Sequence, residues 1–262
     1  MGADTWSNGA KYEAYVGRWS RLVAREFVPW LAVPSAKRWL DVGCGSGALT
    51  QTILAGAEPD AVTGVDRSEG FLSHARATIT DPRAHFLVGD AQALPVESGR
   101  YDAIVSGLVL NFVPDSERAV AEMARAATPG GTVAVYVWDY AGEMQFMRAF
   151  WDAAAEVDPG ARELDEGSRF PICHPDALER LFSAANLCDV TTRAIDIDTT
   201  FRDFDDYWTP FLGGQGAAPS YLETLDEERR TAIRERLRAA APTAPDGSIS
   251  LTARVWATRA SR

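Results

Sequence analysis

Between Trp39 and Thr50 the chain reads WLDVGCGSGALT, an apolar run, an acid and three glycines within five residues. A short strand running into glycines and then a helix leaves backbone N–H groups and a helix N-terminus at the C-terminal edge of a sheet, where open α/β folds bind ligands. Three ligand chemistries compete for such a loop. A P-loop reads GxxxxGK[ST], and no Lys follows Gly47, so a nucleoside triphosphate is poorly supported. A dinucleotide loop spaces its glycines GxGxxG, whereas Gly43, Gly45 and Gly47 give GxGxG behind Asp41, with the third glycine one place early. A second apolar run, AVTGVD, ends in Asp66 about twenty residues beyond the loop, where a carboxylate accepts both hydroxyl hydrogens of a ribose. Nicotinamide sites use the same device, so Asp66 alone does not choose between the ligands.

The third chemistry emerges from the stretches that follow. WLDVGCGSGALT resembles the first motif of class I S-adenosylmethionine-dependent methyltransferases, which implies that Asp41, Gly43, Gly45 and Gly47 pack against the methionine part of that cofactor, with no pyrophosphate to cradle. VGDAQALP (88–95) is similar to the family's motif after strand three, which implies that the Asp90 side chain and the Ala91 N–H read the adenine amino group and a ring nitrogen. YDAIVSGLVLNFVPD (101–115) resembles the fourth-strand motif, in which backbone carbonyls near the strand end, here around Ser106, hold the cofactor's amino group. ARAATPGGTVAVYVW matches the helix, turn and fifth strand that follow. Four motifs in order over residues 38–138 carry the resemblance, which is nearest to the small-molecule branch containing quinone C-methyltransferases and natural-product enzymes. The implied fold is α/β, a doubly wound, seven-stranded, mostly parallel Rossmann-like sheet with its last strand antiparallel.

Some residues depart from the family's pattern. Arg67 follows the ribose Asp where an aliphatic residue often packs on adenine, though its stem can still cover the ring. Phe71 stands where Met is common, and Asn111 where many relatives carry His, so no histidine base is assumed there. In relatives an N-terminal helix like YEAYVGRWSR closes over the cofactor, which implies that Arg18 faces the methionine carboxylate.

A sulfonium is already an activated electrophile, so transfer is an in-line displacement whose rate comes largely from positioning and exclusion of water. No catalytic residue is therefore predicted, and a base matters only for an acceptor that must lose a proton. Of the three histidines, His74 and His85 read as structural, and His174, before Pro175, is the one candidate to stand near an acceptor, or else simply a helix-entry residue. Tyr12, Tyr15, Trp19, Trp138, Tyr207, Trp208 and Phe211 are candidates to wall an apolar acceptor pocket, or else simply pack helix and cap onto the sheet.

The expected acceptor is a small molecule. The [ND]PP[YF] motif of nucleic-acid amino-methyltransferases is replaced by SGLVLNF, and the Pro-Cys nucleophile of cytosine C5 enzymes is absent. A formal charge of −11 also argues against a surface that tracks phosphates. RNA or protein acceptors, a catalytically silent cofactor-binding module and a nicotinamide oxidoreductase stand as alternatives.

The elements that must position these residues follow from periodicity. Apolar residues from Tyr12 to Trp30 recur at spacings of three and four, an amphipathic helix that Pro29 ends or bends. Strands are expected at 38–43, 61–66, 85–90, 101–110 and 132–138, alternating with helices at 48–56, 68–79 and 115–127. Past Asp139 come a helix at 144–157, a polar acidic stretch at 161–170, a helix at 175–185, a strand at 189–201, one long helix from about Tyr221 to Arg238 and a strand at 248–259. We expect a single domain over 1–262, with a helical lid at 1–36, a cofactor-binding core at 37–140 and cap elements at 141–188 and 202–247. Three scattered cysteines, the absence of an apolar run long enough to span a bilayer and an N-terminus unlike a secretory signal predict a cytoplasmic, metal-free protein.

Overall fold

The computed structural model describes residues 18–213 and 216–262. Helix α1 (Arg18–Trp30) leads into the alternation β1 (Arg38–Val42), α2 (Ala48–Gly56), β2 (Ala61–Asp66), α3 (Glu69–Thr78), β3 (Ala84–Val88), β4 (Tyr101–Gly107), α4 (Ser116–Ala126) and β5 (Ala127–Trp138). There follow α5 (Gln145–Val157), the short α6 (Glu166–Arg169), α7 (Pro175–Ala184), β6 (Cys188–Phe201), α8 (Phe204–Trp208), α9 (Ala217–Thr224), α10 (Glu227–Ala240) and β7 (Ile249–Ser261).

The seven strands form one sheet in the order β3-β2-β1-β4-β5-β7-β6, parallel except for β7, which runs antiparallel to both its neighbours. Strand order reverses between β1 and β4. Because parallel crossovers are right-handed, the connections on either side of that reversal pass over opposite faces, which opens a crevice at the C-terminal strand ends. β1 and β2 are buried along nearly their whole length, as central parallel strands are, whereas edge strand β3 leaves Leu87 and Val88 exposed.

Several boundaries differ from expectation. Strand four stops at Gly107, and Leu110–Phe112 forms a 3-10 turn instead of its last residues. Strand five begins at Ala127, before the Pro129-Gly130-Gly131 turn; these residues bulge out between the pairs Tyr101–Ala127 and Ala103–Thr132. The bulge is held by reciprocal backbone bonds to Arg262, Gly130 N–H donating to its carbonyl at 2.9 Å and its N–H donating to Gly131 O at 3.0 Å. The single helix expected from Tyr221 to Arg238 is two helices, because Asp226 caps a new one by accepting from Arg229 N. Pro29 sits in the last turn of α1, which ends one residue later.

Candidate functional site

The reversal point carries a cavity of about 890 Å³ lined by the loops after β1, β2, β3, β4 and β5. That is near the top of the range for small-ligand sites, with room for a nucleoside-sized molecule and a second, smaller one. The glycine loop forms one end. Gly43, Gly45 and Gly47 all have positive φ, 72°, 51° and 89°. Gly43 N–H donates to Val65 O at 2.7 Å and Gly47 N–H to Cys44 O at 2.8 Å, which folds the chain back before α2 starts. A Cβ on Gly43 would lie 2.5 Å from Val109 Cγ1, and one on Gly47 would collide with Ile79, so both are packed shut. A Cβ on Gly45 would meet nothing within 4 Å, so at that point the loop offers bare backbone to the cavity.

Three carboxylates accompany the loop. Asp41 is 1% exposed; Thr50 Oγ1 donates to its Oδ2 at 2.6 Å, while its Oδ1 is buried without a hydrogen-bond partner among the described residues. Burial pushes its carboxyl up to about 7, against the pull of the Thr50 bonds. Asp66 stands at the end of β2, where Oδ2 accepts from Gly45 N and Oδ1 from Ser68 N, at 2.9 and 2.8 Å. Each oxygen keeps a lone pair for a further donor. Asp90 is exposed at the rim and accepts from the Gln92 N–H at 2.8 Å, a bond that holds its carboxyl below the usual range. Burial raises the Cys44 thiol, with the Asp41 and Asp66 charges adding to the effect, so it stays protonated.

The far end of the cavity is walled by Phe112, Trp138, Tyr140, Met147 and Phe170, with Asn111, Glu166 and Arg169 as polar groups among them. Tyr140 is set by a turn in which buried Asp139 accepts from the N–H groups of Gly142 and Glu143 at 3.1 and 3.0 Å. Glu166 is 5% exposed and accepts from Trp151 Nε1 at 2.5 Å. Asn111 Nδ2 is buried without a hydrogen-bond partner among the described residues.

Of the residues singled out by sequence, the cavity brings together Asp41, Gly43, Gly45, Asp66, Arg67, Asp90, Ala91, Asn111 and Trp138. Gly47 shapes the loop behind it. Ser106 is buried with its hydroxyl on Val42 O at 2.8 Å, and it is the next residue, Gly107, that lines the cavity. Trp19, Trp208 and Phe211 belong instead to an aromatic core: Trp19 lies edge-on to Phe146 and Phe201, Phe211 stacks on Phe146 and Phe150 at 4.4 and 4.6 Å, and Trp208 packs on Phe211. Tyr207 is buried in the same cluster. His174 is exposed at the start of α7, away from the cavity lining. Tyr12 and Tyr15 lie outside the described residues, and Arg18 is the first residue of α1. Sequence reasoning missed Tyr140, Met147, Glu166, Arg169 and Phe170.

Among the described residues no His, Cys, Asp and Glu side chains gather in a group of three or more fit for a metal ion, and no helix is long and apolar enough to cross a membrane.

Comparison with known proteins adds the following. A family model described as a methyltransferase domain matches residues 40–135. Demethylmenaquinone methyltransferase of Roseiflexus castenholzii is 32% identical over 179 residues, covering 63% of this chain and 73% of that protein. Trans-aconitate 2-methyltransferase of Variovorax paradoxus is 33% identical over 155 residues, and the match spans 58% of each chain. Among solved structures, phosphoethanolamine N-methyltransferase 2 of Haemonchus contortus in complex with S-adenosyl-L-methionine has a TM-score of 0.61 at 14% identity, covering all of this chain and 60% of that one; this likeness concerns the fold alone.

Proposed function

This chain belongs to the class I S-adenosylmethionine-dependent methyltransferases, and we propose that it transfers the cofactor's methyl group to a small, partly apolar acceptor held at the far end of its cavity. The observation that carries this reading is the continuity of one cavity from the glycine loop, Asp66 and Asp90 to an aromatic-walled end with room for a second molecule.

The residues fit S-adenosylmethionine. The first N–H groups of α2 suit a carboxylate, and the open space beside Gly45, whose own N–H is taken by Asp66, lets a ligand approach the backbone there. The orphaned Oδ1 of Asp41 suits a cationic amino group, whose arrival would draw the carboxyl into its ionised form. Asp66, already oriented by two backbone donors, suits a ribose diol, and Asp90 and Ala91 suit the adenine edge.

When bound, the cofactor supplies an activated methyl group, so the chain's task is to align an acceptor and keep water out. Phe112, Tyr140 and Phe170 provide dry walls for that alignment. Cys44, a nucleophile in the glycine loop itself, is kept harmless: its Sγ packs over Gly64 and burial holds it as a thiol, a far weaker nucleophile than the thiolate. The net charge of −11 supports a small molecule over RNA.

Calorimetric titration with S-adenosylmethionine, S-adenosylhomocysteine and NADH tests the assignment. Micromolar binding of the first two without NADH is expected. Binding of NADH alone would overturn it.

A further inference from the structure

We propose that Asn111 selects the methyl acceptor, donating a hydrogen bond from its carboxamide Nδ2 to a carbonyl oxygen of a neutral, otherwise apolar molecule; the inference rests on the methyl-transfer reading above. Two unusual features meet on the turn that carries this residue, a strained backbone and an orphaned donor.

Leu108 lines the cavity and holds a left-handed φ of 61°, a conformation that a bulky side chain adopts only where its surroundings impose it. The glycine stands one place earlier, because a Cβ on Gly107 would collide with the Tyr136 hydroxyl, and Leu108 is left to make the turn. Its N–H donates to Tyr136 O at 2.8 Å. The chain then leaves β4 with the Val109 methyl groups over Gly43 and closes a 3-10 turn, Phe112 N–H donating to Val109 O at 2.8 Å. A segment whose apolar run reads as strand through residue 110 is thereby bent so that Asn111 reaches the cavity wall.

Once there, its Nδ2 is buried with no hydrogen-bond partner among the described residues, a state that folded chains rarely leave uncompensated. The lining contributed by the same segment is otherwise apolar: Leu108, Val109, Phe112, Val113 and Pro114. The torsion that orients a carboxamide is broad, so Nδ2 turns out to the cavity surface when a partner arrives. The cofactor does not supply that partner. Its carboxylate and ribose belong to α2 and Asp66 in the reading above, and its amino group and sulfonium are cations that accept no hydrogen bond. The oxygen therefore comes from the methyl acceptor. A carbonyl oxygen has nothing to donate, so one N–H satisfies it in apolar surroundings. A hydroxyl brings a donor that needs a partner of its own, and an ionised oxygen gives up hydration that one neutral amide does not replace.

The test uses 1-tetralone and tetralin, the same fused rings with and without a carbonyl, and the S-adenosylhomocysteine-loaded protein beside its Asn111→Leu variant, which keeps the volume and removes the amide. Followed by tryptophan fluorescence, 1-tetralone should bind about tenfold more weakly to the variant, while tetralin and S-adenosylhomocysteine bind both proteins alike. The infrared carbonyl stretch of bound 1-tetralone, isolated by isotope labelling, should lie lower in the parent than in the variant, because a donated hydrogen bond weakens the C=O bond. Asn111→Ala serves if the Leu variant does not fold. If neither folds, the band in the parent decides, and a stretch as high as in cyclohexane overturns the proposal. So do equal losses for both ring systems, no binding of either by the parent, or a tenfold loss of S-adenosylhomocysteine affinity in a folded variant, which would give Asn111 to the cofactor. Each of these leaves the methyl-transfer reading standing. Failure of the parent to bind S-adenosylhomocysteine would remove that reading, and this inference with it.

Discussion

At the glycine-loop end of the cavity the wall is mostly backbone: three left-handed glycines, the first turn of α2 and carboxylates braced by main-chain or nearby hydroxyl donors. At the far end it is side chains, carried by the 3-10 turn after β4, the loop after β5, α5 and α6. Backbone walls are fixed by covalent geometry and tolerate almost no change. Side-chain walls can be exchanged without disturbing the sheet, which suits a constant donor facing a variable acceptor.

The contrast is broken most directly at the glycines. Gly43→Ala combines a left-handed alanine, about 1–2 kcal/mol, with a clash against Val109, about 1–3 kcal/mol. Denaturant unfolding should therefore show a loss of about 3 kcal/mol, while Gly45→Ala, free of any clash, should lose only about 1 kcal/mol. Equal losses would mean that the loop is not closed by packing. Asp66→Ala should weaken S-adenosylhomocysteine binding by about 1.5–3 kcal/mol in a folded protein, and unchanged affinity would remove Asp66 from the ribose.

Asp41 offers a subtler probe through pH. Its folded-state carboxyl, near 7, lies above its unfolded value of 3.8, so the folded protein holds the extra proton between those values. The contribution of Asp41 to the stability of the ligand-free protein is then fully present below about pH 4 and is lost as pH rises to about 7. Cofactor affinity runs the other way, weakening about tenfold per pH unit below 7 as a proton must be expelled, about 1.4 kcal/mol each. Asp41→Asn should flatten both profiles. Smallest of all, Arg148→Met should loosen α6 and lower stability in denaturant unfolding by about 1 kcal/mol, the scale of a part-buried ion pair, with S-adenosylhomocysteine affinity untouched. If that affinity falls as well, the two ends are one mechanical unit.

How far each end was legible in the sequence follows from the same contrast. Asp41, Gly43, Gly45 and Asp66 lie in one strand–loop–helix–strand unit, so their neighbours in space are their neighbours in the chain. Glu166 sits on a helix of four residues, too short for any periodicity, in a stretch that reads as solvated and acidic, and α5, folded back beside it, places Trp151 against it. Aromatic residues misled for a related reason. A core and a pocket wall ask for the same side chains, and Phe211 went to the first while Phe170 went to the second. The break between α9 and α10 was readable in principle, since Asp226 before Glu227-Glu228 is an N-cap followed by first-turn acids.

Strand order has a kinetic corollary. β7, the latest strand to be synthesised, is an interior one, and β6 pairs with nothing else in the sheet. Until residues 249–261 insert beside β5, some 120 residues away in sequence, β6 has no edge to join. Such a sheet closes through non-local pairing, which slows folding. A ribosome-bound chain can thus assemble β1 to β5 early, while β6 waits with two unpaired edges until β7 inserts.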